Sequence, residues 1–145
     1  MPSVEIYTDA CSRFDVHTGC TVVIGEGIPP VFITTHHPEA GGSATAEVLS
    51  AIAGLERVPR DWPIKLYTDF DPLVVTTRYR QRSGHVAYGA AMRRFFALKA
   101  ACTQLEVFRV DRGAATYLHC HAQARELARV IKRMQQGDPT GSIPT

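Results

Sequence analysis

The sequence predicts an α/β domain, with five strand segments and two or three helices in 145 residues. Two observations carry that expectation. "EIYTDA" at Glu5–Ala10 and "KLYTDF" at Lys65–Phe70 write Tyr-Thr-Asp twice, each time closing an alternating apolar run. Period-two alternation rich in β-branched and aromatic residues marks a strand. Between them lies "ATAEVLSAIAGLERV", where Val48, Leu49, Ile52 and Leu55 recur at helical spacing. A helical crossover lets the two strands lie parallel in one sheet.

The elements follow in order. In the first strand Val4, Ile6 and Thr8 share one face, and Glu5, Tyr7 and Asp9 share the other. "CSRFDVHTG" reads as a polar loop, "CTVVIGEG" as a second strand ending in a glycine turn, and "PPVFITTHH" as a third. "PEAGGS" is a loop in which Ser43 is placed to cap the following helix. "PRDWP" breaks that helix and leads into the fourth strand, where Ile64, Leu66 and Thr68 oppose Lys65, Tyr67 and Asp69. "YGAAMRRFFALKAAC" reads as a helix and "LEVFRV" as the last strand. The final helix is expected over Ala122–Met134, with Ala124, Leu127, Ala128 and Ile131 on its apolar face. Residues 1–136 are thus expected to form one domain. "GDPTGSIPT", residues 137–145, carries no core residues and is expected to be a disordered tail.

Composition narrows the function classes. At 45% hydrophobic and 21% charged, the chain has the makeup of an ordinary globular domain able to bury a real core. No apolar run nears the roughly 20 residues that span a bilayer. The first strand begins too early to leave room for a signal peptide. Cys11, Cys20, Cys102 and Cys120 form no CxxC pair, so reduced thiols in the cytoplasm are the expectation. Residues 1–71 hold ten of the fourteen acids and four of the sixteen bases, a net of −6, while residues 72–145 carry +8. That asymmetry is either chance surface distribution or an acidic site beside a basic track, as an enzyme cutting a polyanion requires.

If the two Tyr-Thr-Asp strands are parallel neighbours, their axes lie ~4.8 Å apart. Asp9 and Asp69 then sit side by side at the carboxyl edge of the sheet, Tyr7 beside Tyr67 and Glu5 beside Lys65. Glu47 is expected in the first turn of the connecting helix, where the dipole favours an anion. Adjacent carboxylates repel unless one is protonated or a cation sits between them. Three oxygen ligands from three elements suit a hard divalent cation such as Mg²⁺. Taken singly, each reads as a solvated surface acid; the three together, with Tyr-Thr-Asp duplicated, read as a metal site.

"IYTDA", "TAEVLSAIAGL", "LYTDF" and "AQARELAR" resemble, in order and spacing, the signature segments of type 1 ribonuclease H, over about residues 4–133. The resemblance implies a ribonuclease-H-like fold: a five-stranded mixed sheet, its first three strands antiparallel, with helices on both faces. It implies hydrolysis of the RNA strand of an RNA–DNA hybrid, assisted by Mg²⁺ or Mn²⁺. Asp9, Glu47 and Asp69 are then the catalytic, metal-holding carboxylates. The family's fourth carboxylate lies in the segment written here as "ARELA", and its position is Arg125.

A guanidinium there repels a cation, which implies weakened or altered metal dependence. "YLHCHAQ" offers substitutes: His119, placed before the helix, as a proton shuttle, and His121, one turn before Arg125, as a ligand. The alternative is two solvated helix-start histidines. Substrate contacts differ as well, for the chain has no asparagine. Ser43 and Asp15 stand at positions where the family uses small polar side chains, Gly42 replaces a phosphate-holding hydroxyl, and Asp71 adds negative charge. Arg78, Arg80 and Arg82 in "TTRYRQR" are the candidate grip on nucleic acid, extended by Arg93, Arg94, Arg109 and Arg112. The expected function is a metal-dependent ribonuclease H. The alternative is a catalytically silent module of the same fold that binds nucleic acid or a protein partner.

Overall fold

A computed structural model of the chain describes residues 2–27, 29–76 and 86–137. Arg78, Arg80 and Arg82, and the tail beyond residue 137, lie outside the described residues. The elements are β1 (Val4–Arg13), β2 (Val16–Gly25), β3 (Val31–His36), α1 (Ser43–Leu55), β4 (Pro63–Thr68), α2 (Asp71–Val75), α3 (Val86–Ala101), β5 (Gln104–Arg109) and α4 (Ala115–Gln135). The strands form one mixed five-stranded sheet in the order β3-β2-β1-β4-β5. β1 pairs antiparallel with β2 and β2 with β3, whereas β4 runs parallel to both β1 and β5.

The β1–β4 register is the expected one. Glu5 lies opposite Lys65, and Tyr7 opposite Tyr67. The two tyrosine rings stack at 4.7 Å between centroids, and Phe108 of β5 extends the stack at 5.5 Å from Tyr67. The Tyr67 hydroxyl also donates to the Glu5 carboxylate at 3.1 Å.

Alternation assigns the two faces of the sheet. Val4, Ile6, Ile64 and Leu66 pack with Val48, Ile52 and Leu55 of α1 and with Met92 and Phe95 of α3. On the opposite face Cys11, Val16, Cys20 and Val22 meet Cys120, Ala124 and Ala128 of α4, with Tyr7 and Ile131 at the margin. The Thr18 hydroxyl ties α4 to this face by donating to the Ala124 carbonyl at 2.6 Å.

Four local expectations are corrected. "CSRFDVHTG" is not a loop: β1 and β2 run through it to a two-residue turn at Phe14 and Asp15, with φ of 56° and 61°. Two left-handed residues make a turn whose twist matches the flanking strands. The segment looks polar because each strand alternates between core and solvent. Ser43 is the first residue of α1 rather than its cap. Gly42, in extended conformation, takes the cap position without a side-chain hydrogen bond. Glu47 lies beyond the first turn of α1, which contains no acid. α4 begins at Ala115, seven residues before the expected start, and therefore includes His119 and His121.

α1 lies unusually close to the sheet. A Cβ at Gly54 would fall 2.4 Å from Thr21 Cγ2 and 2.9 Å from Ile6 Cγ2, and one at Gly19 would meet Ser50 Oγ at 1.8 Å. The missing side chains let the helix sit down on β1 and β2, which carries Glu47 toward the strand ends. In Gly54→Ala the gain in helix propensity is roughly 1 kcal/mol, while forcing a methyl into packed methyls costs about 1–3 kcal/mol. The clash should win. We expect a lower urea midpoint with an unchanged slope.

Candidate active site

Asp9 and Asp69 leave adjacent strands on the same face, and Glu47 reaches them from α1. One carboxylate oxygen from each lies within 4.8 Å of the other two. Asp9 is buried. Its Oδ2 accepts from His121 Nδ1 at 2.5 Å, and its Oδ1 faces the Tyr117 hydroxyl at 3.3 Å. The same hydroxyl donates to Asp69 Oδ2 at 3.0 Å. Arg112 approaches that oxygen at 3.8 Å from an exposed position. Glu47 Oε2 is buried without any hydrogen-bond partner.

Two ionised carboxylates at this separation repel by on the order of 3 kcal/mol at an effective dielectric near 20. The titration of the group reflects that. Burial is the largest cause raising the Asp9 carboxyl above its ordinary value. The His121 hydrogen bond opposes the rise and the neighbouring Asp69 adds to it. Burial, then Asp69 and Asp9, push Glu47 up to about 9. Burial beside Asp9 and Asp69 also raises the Tyr117 phenol well above its usual range, so it stays a donor. Three convergent carboxylates, one with a buried and unpartnered oxygen, are the donor set a hard divalent cation takes. The residues present fit such an ion.

The candidate residues are placed as follows. Asp9, Glu47 and Asp69 come together, and His121 joins them through Asp9. His119 turns toward β3, where its ring meets Phe32 at 4.5 Å between centroids. Arg125 is exposed, one turn beyond His121. Ser43 is exposed at the start of α1. Asp15 sits in the β1–β2 turn, and Asp71 pairs with Arg109 at 2.8 Å. Of the expected basic track, Arg94 pairs with Glu56 at 3.2 Å. Tyr117 was missed by the sequence reading. The available signal was its spacing, four residues before His121 and so on the same helical face.

No protein-family model and no curated protein matches the sequence. Solved structures do resemble the chain. The N-terminal RNase H domain of a Mycobacterium tuberculosis protein, solved as a fusion with maltose-binding protein, is 18% identical at a TM-score of 0.66, covering 89% of this chain and 97% of that one. RNase H1 from the halophilic archaeon Halobacterium salinarum is 18% identical at 0.62, covering 86% and 96%. LC11-RNase H1, solved in complex with an RNA/DNA hybrid, is 14% identical at 0.65, covering 82% and 91%. The chain has the ribonuclease-H-like fold.

The raised carboxyl of Glu47 makes stability depend on pH. Its ordinary value is 4.5 and its folded value about 9. Between those limits the folded chain keeps a proton that the unfolded chain has lost, so stability falls as pH rises through the window. Asp9, shifted the same way, adds to the slope. In chelating buffer the melting temperature should decline between pH 5 and 8.5, and Glu47→Gln should flatten that decline. An equally steep slope in the variant would show that Glu47 is not the protonated group.

Proposed function

We propose that the chain is a divalent-metal-dependent endonuclease that hydrolyses the RNA strand of RNA–DNA hybrids. The observation that carries this reading is the meeting of Asp9, Glu47 and Asp69 at the strand ends, with an orphaned buried oxygen on Glu47. It is supported by a fold shared with ribonucleases H, one of them solved on an RNA/DNA hybrid. Asp9, Glu47 and Asp69 would hold Mg²⁺ or Mn²⁺. When bound, the ion supplies charge neutralisation at the scissile phosphate and acidifies an attacking water.

The remaining roles belong to the chain's own groups. His121, hydrogen-bonded to Asp9, would fix the orientation of that carboxylate and exchange a proton beside it. His119, turned toward Phe32, is assigned no step. Ser43, at the open start of α1, offers a hydroxyl to a phosphate. Arg78, Arg80 and Arg82 supply a phosphate grip, with Arg112 adding positive charge close to Asp69. The proposed setting is the cytoplasm. No described helix is long and apolar enough to cross a membrane.

A second reading, a catalytically silent nucleic-acid-binding module, is favoured by one observation. To Asp9, α4 presents a phenol and an imidazole rather than a carboxylate.

A labelled hybrid incubated with Mg²⁺ or Mn²⁺, beside RNA and DNA duplex controls, separates the readings. The native chain should cleave the RNA strand, and Asp9→Asn should lower the rate by about 100-fold or more, since several kcal/mol of metal-derived stabilisation depend on it. Binding of the hybrid without cleavage by the native chain would establish the silent module.

The arginine grip has its own signature. Changing Arg78, Arg80 and Arg82 together to alanine should weaken hybrid binding and flatten the log–log salt slope by about 0.9 per lost phosphate contact. An unchanged slope would exclude these side chains from the interface.

A further inference from the structure

The paired register of β1 and β4 ends at Tyr7 and Tyr67, two residues short of the aspartates. Thr68, the last residue of β4, stays paired to β5: its carbonyl accepts from the Val110 amide, and its hydroxyl accepts from the Phe70 amide. Asp9, paired with Cys20 of β2, and Asp69, just past the end of β4, thus lie beyond the last β1–β4 pair, and they repel each other. One side chain spans them. The Tyr117 hydroxyl lies 3.0 Å from Asp69 Oδ2 and 3.3 Å from Asp9 Oδ1. Its ring is buried on α4 and lies nearly parallel to His121 at 6.2 Å.

We propose that Tyr117 is a positioning residue of the carboxylate site, holding Asp9 and Asp69 together in the metal-free protein and competing with a divalent cation for the same two carboxylates. The proposal rests on the reading that Asp9, Glu47 and Asp69 take such an ion.

The geometry favours a clasp that can release. A phenol has one proton, shared here between two acceptors. Both contacts are longer than the roughly 2.5–2.7 Å of a strong hydroxyl–carboxylate bond. The donor is neutral, so it quiets the repulsion without adding a fixed positive charge to the site. A cation drawing on the same oxygens must weaken or displace it.

Competition predicts a result that a purely structural tyrosine does not. Tyr117→Phe keeps the buried ring and removes only the hydroxyl. In chelating buffer the variant should melt about 3–6 °C lower, as expected for losing one modest hydrogen bond. Titrated calorimetrically with Mn²⁺, it should bind about three- to tenfold tighter than the native chain, because the metal-free state has lost its internal donor.

Equal or weaker Mn²⁺ binding by the variant, with binding by the native chain intact, overturns the proposal and leaves the metal reading standing. Absence of Mn²⁺ binding by both chains overturns the two together. If Tyr117→Phe does not fold, 3-fluorotyrosine placed at position 117 of the otherwise native chain decides the matter. Its fluorine resonance should move with Mg²⁺ at the midpoint of a calorimetric Mg²⁺ titration of the same protein. A resonance unmoved at saturation refutes the competition.

Discussion

Parallel pairing of β1 with β4 is the constraint from which the site follows. Val4 to Tyr7 of β1 each face the residue sixty positions later, so the two Tyr-Thr-Asp segments deliver two carboxylates to the same place. Neighbouring strands lie ~4.8 Å apart, and α1 adds a third acid from above the strand ends. Burial first, and the neighbouring acids after it, raise the carboxyls of Asp9 and Glu47. The stacked rings of Tyr7, Tyr67 and Phe108 hold β1, β4 and β5 in register just behind the acids. Both faces of the sheet are buried, by α1 and α3 on one side and α4 on the other.

Both helices that reach the acids are seated by small residues. α1 needs Gly54 against Thr21 and Ile6, and Gly19 beneath Ser50. α4 rests Cys120, Ala124 and Ala128 on Cys20 and Val22. A larger side chain at either seat would lift a helix end, and displacements near 1 Å are enough to spoil a reactive arrangement. The core composition on the two faces is thus tied to the distances among Glu47, Asp9 and Tyr117. The close seat of α1 and the small-residue contact of α4 serve the same edge of the sheet.

Much of this was legible because it is periodic. Alternation located the strands, and a repeat at an offset of sixty implied the register that the structure shows. What escaped lacks a local signal. Phe14 adopts a left-handed conformation that bulky residues rarely take, so the tight β1–β2 turn read as a loop. α4 begins after Ala114, which offers no capping side chain. Its first turns precede the expected start at Ala122, and so Tyr117 was not placed on the helical face it shares with His121. Glu47 was put in the first turn because Ser43 suggested a cap, and moving the start of α1 back to Gly42 removes the dipole argument for its charge. Burial, which composition does not reveal, governs that carboxyl instead.

The charge asymmetry of the sequence resolves in the same physical terms. Arg94 with Glu56 and Arg109 with Asp71 each join a base from the second half of the chain to an acid from the first. Folding interleaves the halves and neutralises part of the contrast at exposed pairs, each worth little to stability. The acids at the strand ends are treated differently. Their partners on α4 are a phenol and an imidazole, both hydrogen-bond donors. A fourth carboxylate in that place would strengthen the pull on a cation and aggravate the repulsion whenever no cation is bound. Donors reverse both effects, favouring the metal-free fold at the expense of metal affinity. In the reading proposed above, α4 thereby sets where the chain lies between a stable empty site and a tightly loaded one.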